Sequence, residues 1–131
     1  MEPLPIGAGD DVVRVRQQVR AAAAAAGMSL IDQTKLVTAA SELARNTLIH
    51  GGGGAATIEN ATSPRGRPGI RVAFSDDGPG IADPDLALTD GWTTGNGLGL
   101  GLSGARRLVD EFELGTSAGG GTRVVVTKWS R

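Results

Sequence analysis

The sequence predicts a two-layer α/β sandwich, with three helices packed on one face of a mixed, mainly antiparallel sheet. Three observations predict it. The stretches 12–26 and 30–49 repeat apolar residues at three- and four-residue steps, the period of a helix. The stretches 55–60, 69–75 and 122–129 are short, strand-like and bounded by turn residues. A third helical stripe follows a long glycine-rich segment. The length, 131 residues, suits one domain spanning 1–131.

Each element has its own local cause. Leu4 to Ile6 reads as a short edge strand. Asp10 and Asp11 charge-complement a helix start, and Val12, Val15, Val19, Ala22 and Ala26 form its apolar stripe. Gly27 fits the position that ends this helix. Ser29-Leu-Ile-Asp32 has capping-box spacing and opens a second helix, Leu30 to Ile49. Leu36, Val37, Ala40, Leu43, Ala44 and Leu48 cover one face of it. Thr38, Glu42, Asn46 and His50 are four apart and make a polar stripe beside that face. Gly51 to Gly54 stop the helix.

Ala55 to Asn60 and Gly69 to Ser75 read as two strands joined by the polar turn 62–68. Ile70, Val72 and Phe74 share a face, and the alternation puts Asp76 on the same inward side. Leu102, Ala105, Leu108, Val109 and Phe112 predict a third helix that Gly115 ends. Thr122 to Trp129 predicts a last strand, with Trp129 and Val125 on one side.

Composition removes several functions. There is no Cys, so thiolate chemistry and disulfides are excluded, and the single His, His50, excludes a two-His metal site. Net charge is -1, which argues against a nucleic-acid partner. The longest apolar run, Ala21 to Ala26, is far short of the roughly 20 residues that span a bilayer, and the N-terminus does not look like a signal peptide. A cytoplasmic protein with no membrane partner is the expectation.

Glycine is the anomaly, at 21 residues, about twice the usual share of roughly 7%. Eight lie between Gly78 and Gly104, within and just beyond the long irregular segment 77–101. A structureless stretch of that length in a small domain is usually functional. Glycines before a helix start let backbone N–H groups approach phosphate oxygens, where the helix dipole favours negative charge. Taken alone, the segment fits a phosphate site or a flexible loop equally. Gly99-Leu-Gly-Leu-Ser-Gly104 formally matches a dinucleotide fingerprint, but no convincing strand precedes it and no βαβ unit surrounds it.

Three motifs in order decide between the two readings. Glu42-Leu-Ala-Arg-Asn46 lies on a helix, Asp76-Asp-Gly-Pro-Gly80 follows a strand, and Gly97-Leu-Gly-Leu-Gly101 opens a helix. Together they resemble the N, G1 and G2 boxes of the GHKL (Bergerat-fold) ATPase and kinase superfamily. Ser41 to Asn46, Asp90-Gly-Trp-Thr-Thr94, Gly97 to Leu102, Arg107 to Phe112 and the ending Lys128-Trp-Ser-Arg131 narrow the resemblance to the RsbT-type switch serine kinases. It covers the chain from about Asp10 onward.

The resemblance implies ATP and Mg²⁺ as cofactors and a role for each matched residue. Asn46 would hold Mg²⁺ through its side-chain oxygen, a ligand suited to a hard cation. Glu42 would be the general base that takes the proton of the acceptor serine. Asp76 would accept a hydrogen bond from the adenine amino group, with Gly78 and Gly80 letting the backbone lie close to the base. Gly97, Gly99 and Gly101 would wrap the phosphates. Thr122 would sit near the adenine edge, or simply start a strand. The segment 82–96 would form the lid that carries Trp92. Without the motifs, Glu42 and Asn46 read as ordinary polar residues of an amphipathic helix. Arg45 and His50 read as a solvating and a structural residue, and Asp77 as solvent-exposed.

The implied partners are a STAS-domain antagonist protein, phosphorylated on serine, and a metal-dependent PPM-type serine/threonine phosphatase that the kinase activates once released. The alternative is an anti-sigma factor kinase that sequesters a sigma factor directly. Histidine kinases and topoisomerase-, chaperone- or repair-type enzymes are expected to need further domains.

Overall fold

The computed structural model describes residues 2–79, 101–117 and 119–131. The elements are β1 (Leu4–Ile6), α1 (Gly9–Ala25), α2 (Leu30–Ile49), β2 (Gly54–Thr62), β3 (Pro68–Asp76), α3 (Gly101–Arg107), β4 (Glu111–Thr116) and β5 (Thr122–Trp129). The five strands form one open sheet in the order β1-β2-β3-β5-β4. All four pairings among the described residues are antiparallel, in keeping with the mainly antiparallel sheet expected.

Helix α1 ends as its sequence predicts. The Met28 N–H donates to the Ala23 carbonyl and the Gly27 N–H to the Ala24 carbonyl, a Schellman stop. That stop needs a left-handed residue, and Gly27 has φ +83°. Helix α2 starts on Ser29, whose Oγ accepts from the Asp32 N–H at 3.1 Å. Asp32 does not reach back to close a reciprocal box. Its Oδ1 lies 3.7 Å from Lys128 Nζ instead, in an ion pair buried between α2 and β5.

The core lies between the sheet and the helices. Val15 and Val19 of α1, Leu36 and Leu43 of α2, and Ile70, Val72 and Val126 of the sheet are almost fully buried. Each such side chain contributes about 1.5–3 kcal/mol relative to exposure. Helices α1 and α2 pack on this inner face, and α3 packs against α2. On the opposite face, the Trp129 ring lies against Gly69, where an added Cβ would come within 2.4 Å of it.

The third helix is shorter than its apolar stripe predicts. It stops at Arg107, and Phe112 belongs to β4 rather than to a helix. Gly115, expected to end the helix, is paired with Arg123 within the strand. The alternation Glu111-Phe-Glu-Leu114 explains the difference. It turns Phe112 and Leu114 onto the core while leaving both glutamates exposed. Pairing with β5 satisfies backbone groups that a longer helix would have had to satisfy internally.

The C-terminal residues clasp the far end of the sheet. The Trp129 N–H donates to Asp110 Oδ2 at 2.7 Å, and the Arg131 guanidinium pairs with the same carboxylate. Ser130 Oγ donates to the Gly27 carbonyl at 3.1 Å.

Candidate functional site

Asp76 is the last residue of the central strand β3 and lies beside Gly51, just past the end of α2. The strand alternation turns it inward with Ile70, Val72 and Phe74, and it is 9% exposed. Its Oδ1 accepts two backbone hydrogen bonds, from the Gly78 N–H at 2.9 Å and the Thr122 N–H at 3.1 Å. Ser117 Oγ donates to its main-chain carbonyl at 2.6 Å. The carboxylate is thus fixed by the loop that follows it and by the start of β5.

Glycines make this approach possible. A Cβ on Gly121 would lie 2.0 Å from the Asp76 carbonyl oxygen, and one on Gly51 would lie 2.4 Å from the Asp76 Cγ. A Cβ on Gly54 would lie 2.0 Å from the Ser75 carbonyl oxygen. The glycine runs 51–54 and 119–121 carry no motif and read as simple connectors. In the fold Gly51, Gly54 and Gly121 of these runs pack directly against Asp76. The clue available in the sequence is the clustering of glycines on both sides of the strand pair.

Of the predicted residues, Asp76, Gly78 and Thr122 are brought into direct contact. Asp77 is exposed, as expected, and its carboxylate lies near Gly119. Glu42 and Asn46 are one turn apart on α2 and both are half-buried. Glu42 Oε1 lies 3.4 Å from Arg45 Nη1, so Arg45 is an ion-pair partner and not only a solvating residue. The Asn46 side chain makes no hydrogen bond among the described residues. His50 caps α2, its N–H donating to the Asn46 carbonyl at 2.9 Å. Gly101 is the first residue of α3. Gly80, Gly97, Gly99, Trp92 and the lid expected at 82–96 lie outside the described residues.

Among the described residues no group of three or more His, Asp or Glu side chains would hold a metal by itself. Mg²⁺ does not need one, since it keeps several waters and is commonly held by one or two protein oxygens and the phosphates of its nucleotide. The side-chain amide oxygen of Asn46 is a donor of that kind.

An open antiparallel sheet with helices on one face and a strand-end carboxylate held by two amides places the chain in the α/β class. The chain belongs to the histidine kinase-, DNA gyrase B- and HSP90-like ATPase family, whose sequence model matches residues 31–130. It is 43% identical over 121 residues to the serine/threonine-protein kinase RsbT of Bacillus subtilis (strain 168), covering 92% of this chain and 90% of that protein. This relationship supports kinase activity. The fold is also similar to the crystal structure of the RsbU and RsbW domains of Rv1364c from Mycobacterium tuberculosis, with a TM-score of 0.59 and 24% identity. That match covers 100% of this chain and 33% of the other, and it speaks to the fold alone. No helix among the described residues is long and apolar enough to cross a membrane.

Proposed function

We propose that this chain is an ATP-dependent serine/threonine-protein kinase of a partner-switching stress-response module. It phosphorylates a serine on a STAS-domain antagonist protein. Released from that partner, it activates a PPM-type serine/threonine phosphatase. The observation that carries the reading is Asp76, a nearly buried carboxylate with one oxygen fixed by two backbone amides. An acceptor fixed in that way suits the amino group of adenine and disfavours the carbonyl of guanine.

The residues divide the chemistry among them. Asp76, with Gly78, Gly80 and Thr122, takes the adenine. Gly97, Gly99 and Gly101 take the phosphates through their amides. Asn46 offers its side-chain oxygen to Mg²⁺, which when bound supplies charge neutralisation at the phosphates. Glu42 orients the acceptor hydroxyl and receives its proton at a carboxylate oxygen. Phosphoryl transfer depends mainly on alignment and charge stabilisation, so the rigid α2 is a suitable base for Glu42 and Asn46.

The test is transfer of labelled γ-phosphate from Mg-ATP to candidate STAS-domain proteins. Asn46→Ala is expected to abolish Mg-dependent binding or transfer. Glu42→Ala is expected to retain nucleotide and slow transfer by about 10²–10⁴-fold, the usual contribution of a general base. Unchanged transfer by Glu42→Ala removes that role. No binding of Mg-ATP to the wild type in calorimetry would sink the whole assignment. Recovery of a sigma factor in place of a STAS protein or phosphatase would reassign the partner.

A further inference from the structure

The geometry points to Gly51 as a positioning residue of the nucleotide site. It is the joint that sets the adenine-facing carboxylate of Asp76 against the end of α2. The inference rests on the assignment of Asp76 to adenine and adds a residue that no motif marks.

Gly51 touches both halves of the site through its backbone. Its N–H donates to the Asn46 carbonyl at 3.2 Å, which ties it to the last turn of the helix carrying Asn46 and Glu42. Its Cα faces Asp76. A Cβ built there would lie 2.4 Å from Asp76 Cγ, 2.5 Å from its Cβ and 2.5 Å from Oδ2. From the other side, a Cβ on Gly78 would lie 2.8 Å from the Gly51 Cα and 2.9 Å from its carbonyl oxygen. Gly51 and Gly78 therefore face each other with no side chain between them, beside the carboxylate that Gly78 holds through its N–H.

The requirement for glycine at 51 is one of space. Its φ is not among the positive ones in the chain, unlike those of Gly52 and Gly53. An alanine would be acceptable to the backbone and not to Asp76. Side-chain rotation would not relieve the contact, because the Asp76 Cβ is fixed by strand β3. A methyl group at 51 must displace the carboxylate from the Gly78 and Thr122 amides or push α2 away from the strand. Either movement misplaces the acceptor relative to the Asn46 end of the site.

The experiment compares the affinities of ADP and inosine diphosphate, which carries a carbonyl in place of the adenine amino group. Wild type is expected to prefer ADP. Gly51→Ala should lose about tenfold in ADP affinity, the size that overpacking by one methyl supports, with a smaller loss for inosine diphosphate. Loosening of the whole fold would instead lower both affinities alike and leave their ratio unchanged, which overturns the proposal. Gly52→Asn is the control. Nothing lies within 4 Å of a Cβ at Gly52, and Asn tolerates its φ of +73°. It should leave the ratio as in wild type.

Absence of an ADP preference in the wild type would count against the Asp76 assignment itself. A wild-type preference that Gly51→Ala retains would count against Gly51 alone. Should Gly51→Ala not fold, the double variant Gly51→Ala/Asp76→Gly decides, since it removes all three atoms that the new methyl would meet. Melting at the temperature of Asp76→Gly alone supports the contact, and a further large drop overturns it.

Discussion

Asp11 and Asp76 each accept two backbone N–H groups with one carboxylate oxygen, yet they do different work. Asp11 Oδ2 takes the amides of Gly7 at 2.8 Å and Ala8 at 3.1 Å, and its Oδ1 pairs with Arg14 at 2.8 Å. All three partners lie within four positions along the chain. The arrangement stabilises the first turn of α1, where Ala8 supplies no capping side chain. Asp76 takes one amide from two residues away and another from Thr122, 46 residues away. The first arrangement needs only a helix start. The second exists only when β3 and the start of β5 have come together.

That contrast predicts what should break at each place. The largest effect is expected from Gly121→Ala, whose methyl group would meet the main chain of Asp76. It should cost about 2–3 kcal/mol of stability by overpacking and weaken ATP binding as well, read by denaturant melts and calorimetry. Asp76→Asn should leave the fold largely intact and reduce ATP affinity about 10–100-fold. That is the size of one hydrogen bond to a charged group, and calorimetry would read it. Stability falling with no change in ATP affinity would make Asp76 as structural as Asp11.

Gly27→Ala acts on a local feature. Forcing a side chain into its left-handed conformation should cost about 1–2 kcal/mol in thermal melts and leave nucleotide affinity alone.

Asp11→Ala should have the smallest effect, a slightly lower Tm. Its signature is the pH dependence. The Gly7 amide foremost, then the Ala8 amide and Arg14, hold the Asp11 carboxyl below its ordinary value of 3.8. A depressed folded-state value means the contribution is present above that ordinary value and is lost as pH falls through the folded one. The wild-type and Asp11→Ala melting curves should therefore converge at acid pH. A constant difference down through that range would show that the carboxylate charge is not what matters.

The same division governs how much of the fold was legible in the sequence. Helix α1 was legible to its last turn, because the Ala run and Gly27 fix it through neighbouring residues. The inward placement of Asp76 was legible too, since strand alternation carries it there from Ile70. The boundary between α3 and β4 is not legible in this way. Leu108, Val109 and Phe112 fit a helical stripe, while Glu111-Phe-Glu-Leu114 fits a strand equally well. Only the presence of β5 as a pairing partner selects the strand.

The sequence by itself determined the Ser29 and Gly27 caps, the strand alternation and each of the three motifs that mark the family, because each depends on residues close together in the chain. Tertiary structure decided that Thr122 reaches Asp76, that Lys128 is buried against Asp32, and that Gly51 and Gly121 must lack side chains. The physical reason is steric. The space beside a residue such as Gly51 is limited by atoms of a distant strand, and no local pattern records how close they come.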